Sequence, residues 1–429
     1  MSNKILAEIE EEAANCMKCG LCRKICPIFD ELENEATVAR GKVNLIQNVI
    51  EGNIELTDKY EKLMELCLLC KACVDNCPVG IEVDKMVFKA REHLAKEKGL
   101  SWMKKGIFSF VKNKGLFPLG MKLGATFQGL AFCKNKGSQQ GNNIRVGIGM
   151  DPNRVLPDLA KEPFRDRYPE IVKLNNSAGR VAFFTGCSIN YMQPDFGESV
   201  VNVLLENDIE VVIPKEQHCC GLAIGSYGDI EKSRELAEHN LDVFSKYDVD
   251  AVVTACASCG STLKEEYEEW LDDDSFSSKV YDISEYLVDV IDFDREDLGK
   301  LRRKVTYHDP CHLVRGMKVS EQPREIMKSI PGLYFEDMKK PDRCCGAAGT
   351  FNIKNYDLSM KINRHKIDDI KQTGAGTVAT GCAGCKIQIT DGLNQAGMSQ
   401  EVVHTVQLLD EAYQKRREER EEEEVKVIS

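Results

Sequence analysis

Cysteine is the residue whose chemistry this chain must explain. Its 429 residues include 19 cysteines, and all but Cys133 fall into spaced sets. Cys16, Cys19, Cys22 and Cys26, and again Cys67, Cys70, Cys73 and Cys77, spell C-x2-C-x2-C-x3-C, closed by Pro27 and Pro78. Runs of this form hold [4Fe–4S] cubanes in pairs, the fourth cysteine of each run reaching the other cluster. The expected sets are Cys16, Cys19, Cys22 and Cys77 for one cubane, and Cys67, Cys70, Cys73 and Cys26 for the second. Two zinc sites are the competing reading, disfavoured because zinc sites use paired C-x2-C knuckles.

The remaining ten cysteines form a duplicated pattern. Cys187 is followed after 31 residues by Cys219-Cys220-Gly221, then after 35 by Cys256-x2-Cys259. Cys311 is followed after 32 residues by Cys344-Cys345-Gly346, then after 36 by Cys382-x2-Cys385. The offset between matching cysteines, 124 to 126 residues, marks an internal repeat. Neighbouring side chains of an extended chain point to opposite faces. Two consecutive cysteines therefore share a site only if the backbone turns sharply, and Gly221 and Gly346 can supply the positive φ for that turn. Five thiols also exceed the four that a cubane or a zinc ion uses.

The elements that must position these thiols are legible nearby. The stretches VAFFT at 181–185 and AVVTA at 251–255, with the matching 305–308 and 377–380, read as strands leading to Cys187, Cys256, Cys311 and Cys382. Helical stretches at 230–247 and 356–372 follow. Alternating strands and helices imply parallel sheets, whose sites lie beyond the carboxyl ends of the strands. Forty residues separate Cys26 from Cys67, too many for a compact ferredoxin loop. Helical periodicity over 37–48 and 60–69 sets the first two clusters between helices.

The fold expected is therefore α+β and multidomain. A helical ferredoxin-like domain with two [4Fe–4S] clusters spans 1–100, and a linker spans 101–178. The two repeats of a duplicated α/β domain span 179–300 and 301–413, and a charged tail fills 414–429. Within the linker, Phe108, Phe110, Phe117, Phe127 and Phe132 alternate with Lys104, Lys105, Lys112, Lys114, Lys122, Lys134 and Lys136. Such a stretch suits an anionic membrane surface, a partner subunit or this chain's own domains. Residues 136–144 read as a loop and 151–170, with four prolines, as an extended connector. Cys133 is given no role.

The net charge of −12 lacks the basic footprint that nucleic acid requires. The acidic N-terminus lacks a signal-peptide pattern and no apolar stretch is long enough to span a bilayer. The expected location is the cytoplasm, with a peripheral position at the inner membrane face as an option. The glycine groups at 147–152 and 374–381 do not form a GxGxxG turn between a strand and a helix.

The five-cysteine pattern resembles the CCG domain of heterodisulfide reductase catalytic subunits. That resemblance implies a noncubane [4Fe–4S] cluster on Cys187, Cys219, Cys220, Cys256 and Cys259, and another on Cys311, Cys344, Cys345, Cys382 and Cys385. The order of parts is similar to the iron–sulfur subunits of glycolate oxidase, L-lactate utilisation and anaerobic glycerol-3-phosphate dehydrogenase systems. TVARGKVNLI, after the first run, resembles that family's RG segment. YHDPCHLVRGMKVSEQPREIMKSIPG, followed by RCCGAAGTF, is close to the glycolate and lactate group. In that group one or both five-cysteine sets are often incomplete. Here both are complete, which moves the chain toward heterodisulfide reductase.

The resemblance implies an electron-transfer subunit of a flavin-dependent 2-hydroxyacid dehydrogenase, with FAD on a partner chain. An electron-transfer flavoprotein, a quinone or a membrane-associated carrier would be the acceptor. The rival reading is a catalytic subunit that reduces a disulfide or quinone at the noncubane clusters. A third is a passive docking module. No catalytic side chain is singled out. His218, His308 and His312 flank the repeat cysteines and could protonate departing thiolates, though a structural histidine hydrogen-bonding a loop is the preferred explanation. Arg40-Gly41-Lys42 is placed near the first cluster, where its donors would raise the potential, with a solvated helix start as the alternative reading.

Overall fold

The structure, a computed structural model, describes residues 3–134, 141–144, 151 and 154–428. The loop expected over 136–144 falls partly outside these residues, as do Lys136, Pro152 and most of the glycine group at 147–152.

The N-terminal region is helical because its apolar residues recur with helical spacing. Ala39–Ile50 buries Ala39, Val43 and Ile46, and Val83–Glu97 buries Met86, Val87, Ala90 and Leu94. These stripes close one core with Tyr60 and Met64 from Asp58–Glu65. The helix expected from 37 begins later, because Asn34 accepts the Ala36 N–H at 3.0 Å and opens a 3-10 turn, Glu35–Thr37. Thr57 caps Asp58–Glu65 by accepting the Tyr60 N–H at 3.2 Å.

The linker region is more ordered than its composition implied. Trp102–Lys112 and Leu116–Ala131 are helices. Phe108 is buried with Ile224 and Leu236 of the first repeat. Trp102, Met103, Ile107, Leu116, Leu119, Leu123, Phe127 and Leu130 are exposed over half their surface or more. A small antiparallel sheet follows, β1 (Phe132–Lys134), β2 (Asn142–Ile144) and β3 (Val155–Leu156). The connector expected over 151–170 is interrupted by the short helix Phe164–Arg167. Phe164 lies fully buried in the core of the first repeat, edge-on to Phe183 at 5.6 Å, where Gly197 leaves room for the ring.

The two repeats form two sheets of matching order. The first runs β4 (Ile171–Val172), β6 (Ile209–Val212), β5 (Gly179–Phe183), β7 (Ala251–Thr254), β8 (Val280–Asp282). The second runs β10 (Tyr334–Phe335), β9 (Lys304–His308), β11 (Thr377–Thr380), β12 (Glu401–His404). All pairings are parallel except β4 with β6. Every residue of β6, β7 and β11 is buried, as expected of strands covered on both faces. One apolar core runs through both repeats. The last helix, Thr405–Ile428, carries the chain on through the charged tail. Among the described residues, no helix is long and apolar enough to cross a membrane.

Candidate iron–sulfur site

Each N-terminal cysteine run folds with the same two left-handed residues. These are Lys18 and Gly20 in the first run, and Leu69 and Lys71 in the second. Left-handed backbone is costly for Lys and Leu, and here it bends each run around a common centre. Cys16, Cys19 and Cys22 lie within electrostatic reach of one another. Cys77 packs on the same core as Cys16 and Cys22 and accepts the Ile81 N–H at 3.4 Å. Cys26, Cys67, Cys70 and Cys73 form the second group. Burial pushes the Cys26 thiol up to about 12, so a thiolate there needs a bound cation to offset its desolvation.

The Arg40-Gly41-Lys42 segment serves both groups rather than the first alone. Arg40 donates to the Lys18 carbonyl at 3.2 Å and stands beside Cys19 and Cys22. Lys42, further round the same helix, is buried and faces Cys67, Cys26 and Cys73, donating to the Thr37 carbonyl. Gly41 is required between them, because a Cβ there would run into the Glu35 carbonyl. A buried cation beside thiolates favours electron-rich states of whatever they bind.

In each repeat the five thiols meet beyond the carboxyl ends of the strands. Cys256 and Cys382 follow β7 and β11 and open the helices Ala257–Ser261 and Ala383–Gln395. The Cys-Cys pairs turn as the glycines allow, with φ of +92° at Gly221 and +87° at Gly346. Side-chain contacts run Cys187 to Cys219 to Cys220 to Cys259 to Cys256 in the first repeat. In the second they run Cys311 to Cys344 to Cys345 to Cys385 to Cys382. The Cys345 and Cys385 sulfurs are 3.4 Å apart.

Two further contacts, invisible in the sequence, join these groups. Cys256 touches Cys382, so the repeats meet thiol to thiol. The Ala257 N–H donating to the Gly381 carbonyl at 3.1 Å and Gln193 donating to the Ala383 carbonyl at 2.9 Å fix that junction. Cys70 touches Cys344, so the ferredoxin-like region abuts the second repeat. Ile28, Leu66, Leu68, Phe351 and Ile362 seal this second junction with apolar surface. Arg91 pins the region to the first repeat, donating to the carbonyls of Met64, Cys67 and Ser226, each at 2.7 Å.

The three histidines take different positions. His312 is committed on both ring nitrogens, to Ser258 Oγ at 3.3 Å and the Leu69 carbonyl at 3.1 Å. It ties the ferredoxin-like region to both repeats, which is a holding role. His308 is buried, reaches the Pro341 backbone carbonyl, and lies within 4.8 Å of the Cys345 and Cys385 sulfurs. His218 accepts the Cys219 N–H on Nδ1 at 2.8 Å. Burial lowers His308 to about 3 and His218 to about 4, so both rings are neutral. Cys133 donates weakly to the Asn143 carbonyl at 3.7 Å, within the small sheet.

The donor set fits iron–sulfur clusters: thiols gathered in two groups of four and two touching sets of five, largely buried in the repeats and mostly half-buried in the N-terminal region, with Arg40 and Lys42 close beside the groups of four. Comparison with known proteins agrees. The 4Fe-4S dicluster domain family matches residues 12–81. The CCG cysteine-rich domain family matches residues 181–264 and 305–390. The probable glycolate oxidase iron–sulfur subunit of Bacillus subtilis is 34% identical, over 94% of each chain. A dihydromethanophenazine:CoB–CoM heterodisulfide reductase chain of Methanosarcina acetivorans is 28% identical, again over 94% of each. A hypothetical protein from Helicobacter pylori shares the fold at a TM-score of 0.50 and 10% identity, over 96% of this chain and 76% of that one. The chain thus belongs to the iron–sulfur protein family in which a 4Fe-4S dicluster domain precedes two CCG domains, the family of glycolate oxidase iron–sulfur subunits and their heterodisulfide reductase relatives.

Proposed function

We propose that this chain is the iron–sulfur electron-transfer subunit of a flavin-dependent 2-hydroxyacid dehydrogenase, with glycolate or lactate as donor. An FAD-binding partner chain oxidises the acid, and the acceptor is an electron-transfer flavoprotein, a quinone or a membrane-associated carrier. The observation that supports this most directly is the unbroken series of thiol contacts, from Cys70 through the second repeat to Cys256 and on to Cys187. In this reading Cys16, Cys19, Cys22 and Cys77 hold one cubane, and Cys67, Cys70, Cys73 and Cys26 another. The two five-cysteine sets hold noncubane [4Fe–4S] clusters. Bound there, such clusters supply one-electron transfer. The chain's own part is to keep the thiols dry, to hold positive charge at Arg40 and Lys42, and to fix the junctions through His312 and Arg91. The two helices of 102–131 hold the chain at a membrane face, their exposed apolar residues accompanied by lysines and by no carboxylate.

A second reading is favoured by one observation, the completeness of both five-cysteine sets. In it the repeats are themselves catalytic and reduce a disulfide or quinone. Iron and acid-labile sulfide per chain, measured on protein purified without oxygen, begin the test, since two cubanes account for about eight irons. About sixteen irons, with reduction of the chain by its flavin partner and a 2-hydroxyacid, is the result expected. About eight would leave the repeats without clusters. Full iron content with disulfide-driven oxidation and no response to the flavin partner would replace the first reading by the second.

A further inference from the structure

The thiols at the two outer ends of the series differ in their surroundings. Cys344 of the second repeat is met by Cys70. Beside it lies a cleft of about 270 Å³, where the guanidinium of Arg315 is already held by Asp342 at 2.5 Å. The matching thiol of the first repeat, Cys219, is met by Cys187 and Cys220 of its own repeat. With Cys187 it forms part of the wall of a cleft of about 350 Å³, within the size range of small-molecule sites. Cys220, Cys256 and Cys259 do not line this cleft, so it opens onto one side of the five-thiol set, at Cys187 and Cys219.

Its lining is cationic. Arg165 donates through Nη1 to the carbonyls of Lys215, at 3.0 Å, and Gln217, and its side chain also reaches the Tyr191 hydroxyl, while its Nε is buried with no hydrogen bond among the described residues. Lys215 donates to the carbonyls of Arg165 and Tyr168. Lys114 stands exposed at the mouth. None of the three forms an ion pair with a carboxylate among the described residues, although such pairs are frequent elsewhere on the surface. His218 adds a donor. Its Nδ1 accepts the Cys219 N–H, which leaves the ring proton on Nε2, and Nε2 is buried and unpartnered among the described residues. Phe117 stacks on the His218 ring at 5.9 Å and packs edge-on to Tyr191 at 5.4 Å, forming an aromatic wall. Three carboxylates stand nearby: Glu216, in the lining, pairs with Lys246 at 3.5 Å, Asp166 pairs with Lys122 at 2.7 Å while also facing Arg165 and Lys215, and Glu170 faces Lys215 and accepts the Tyr247 hydroxyl at 2.5 Å.

Buried donors that lack acceptors are costly unless something else supplies them. Guanidinium, ammonium and imidazole N–H groups converging on one cleft match the oxygens of a carboxylate or phosphate. We propose that the cleft bounded by Lys114, Arg165, Lys215 and His218 binds the carboxylate or phosphate group of a small molecule, and presents that molecule to Cys187 and Cys219. The helix start at Leu116 thereby gains a purpose, since Lys114 and Phe117 close the cleft over the first repeat.

The inference rests on the reading of the first repeat as a cluster site, and the two can fail separately. Anaerobically purified holoprotein is titrated by calorimetry with pyruvate, glyoxylate and inorganic phosphate, and the reduced protein's electron paramagnetic resonance spectrum is recorded with and without each. Saturable binding that shifts the spectrum is expected. Lys114→Glu, an exposed change that leaves folding and iron content intact, weakens it about tenfold or more by reversing a charge at the mouth. Arg165→Gln removes it. Saturation by the keto acids alone identifies an organic acid as ligand, and competition by phosphate identifies a phosphate-bearing one. Full iron content with no binding of any probe, or equal affinity in Lys114→Glu, overturns this inference alone. Loss of iron from the first repeat in the unmodified protein overturns the reading beneath it.

Discussion

Gly346→Ala should damage the second repeat more than Gly221→Ala damages the first, although both glycines make the same turn. Their φ values are nearly equal, +87° and +92°. An alanine in left-handed backbone costs about 1–2 kcal/mol at either site. The surroundings then separate them. At Gly221 the new Cβ would meet the Ser233 carbonyl and the Trp270 ring at 3.3 Å, a gap that small shifts relieve. At Gly346 it would meet the Ser359 carbonyl at 2.6 Å. That oxygen belongs to the helix Tyr356–Thr373, and the Ser359 hydroxyl donates back to the Gly346 carbonyl at 2.8 Å. Loop and helix must part together, an overpacking cost of about 1–3 kcal/mol more. Gly221→Ala is thus expected to lose about 1–2 kcal/mol and Gly346→Ala about 2–5 kcal/mol. Urea unfolding of anaerobic holoprotein, followed by visible absorbance and far-ultraviolet circular dichroism, reads the difference. Gly346→Ala should also release iron, because the turn holds Cys345 against Cys385. Equal losses in the two variants, or a larger loss in Gly221→Ala, would refute the reasoning.

Three other outcomes follow from the same structure. Lys71 is half of a junction, pairing with Glu265 at 2.6 Å and Asp84 at 3.3 Å where the ferredoxin-like region meets the first repeat. Lys71→Met strands those carboxylates and should cost on the order of 3 kcal/mol, read as a lower urea midpoint; an unchanged midpoint counts against the pairing. Burial raises Glu266 to about 8, from an unfolded value near 4.5. The folded chain therefore holds an extra proton between those values, and this contribution to stability is full below about 4.5 and lost as pH rises through about 8. Glu266→Gln should match the parent near the lower pH and exceed it progressively toward the upper one; parallel stability curves would show that burial does not raise Glu266 in the folded chain. Finally, Phe127 and Leu130 are 58% and 74% exposed on the second linker helix. Changing both to Glu should abolish sedimentation with anionic vesicles while leaving iron content unchanged, and undiminished sedimentation would remove the membrane-facing assignment.

The sequence by itself determined the local geometry. A three-residue cysteine spacing closed by proline leaves a run little choice but to wrap a centre, and the structure bends both runs at the same two positions. The strands before Cys187 and Cys256 were legible because a buried parallel strand is a nearly continuous apolar run, and those before Cys311 and Cys382, VTYH and TVAT, because the repeat places them at the matching positions. Gly221 and Gly346 were legible because consecutive cysteines cannot share a site without a turn. Apart from the offset of the repeat, all these signals act within a few residues along the chain. The helices of 102–131 were blurred by composition, since lysines and aromatics interleave without a clean stripe.

Only the tertiary structure decided how the groups meet. Cys256 against Cys382, Cys70 against Cys344, and Lys42 beside the second group rather than the first depend on how sheets and helices cross. So does the cleft that gathers Lys114, Arg165, Lys215 and His218 from separate segments. Crossing geometry is set by side-chain packing summed over the whole core. No spacing within one segment records it, and so contacts between residues more than a hundred positions apart appear only once the chain has folded.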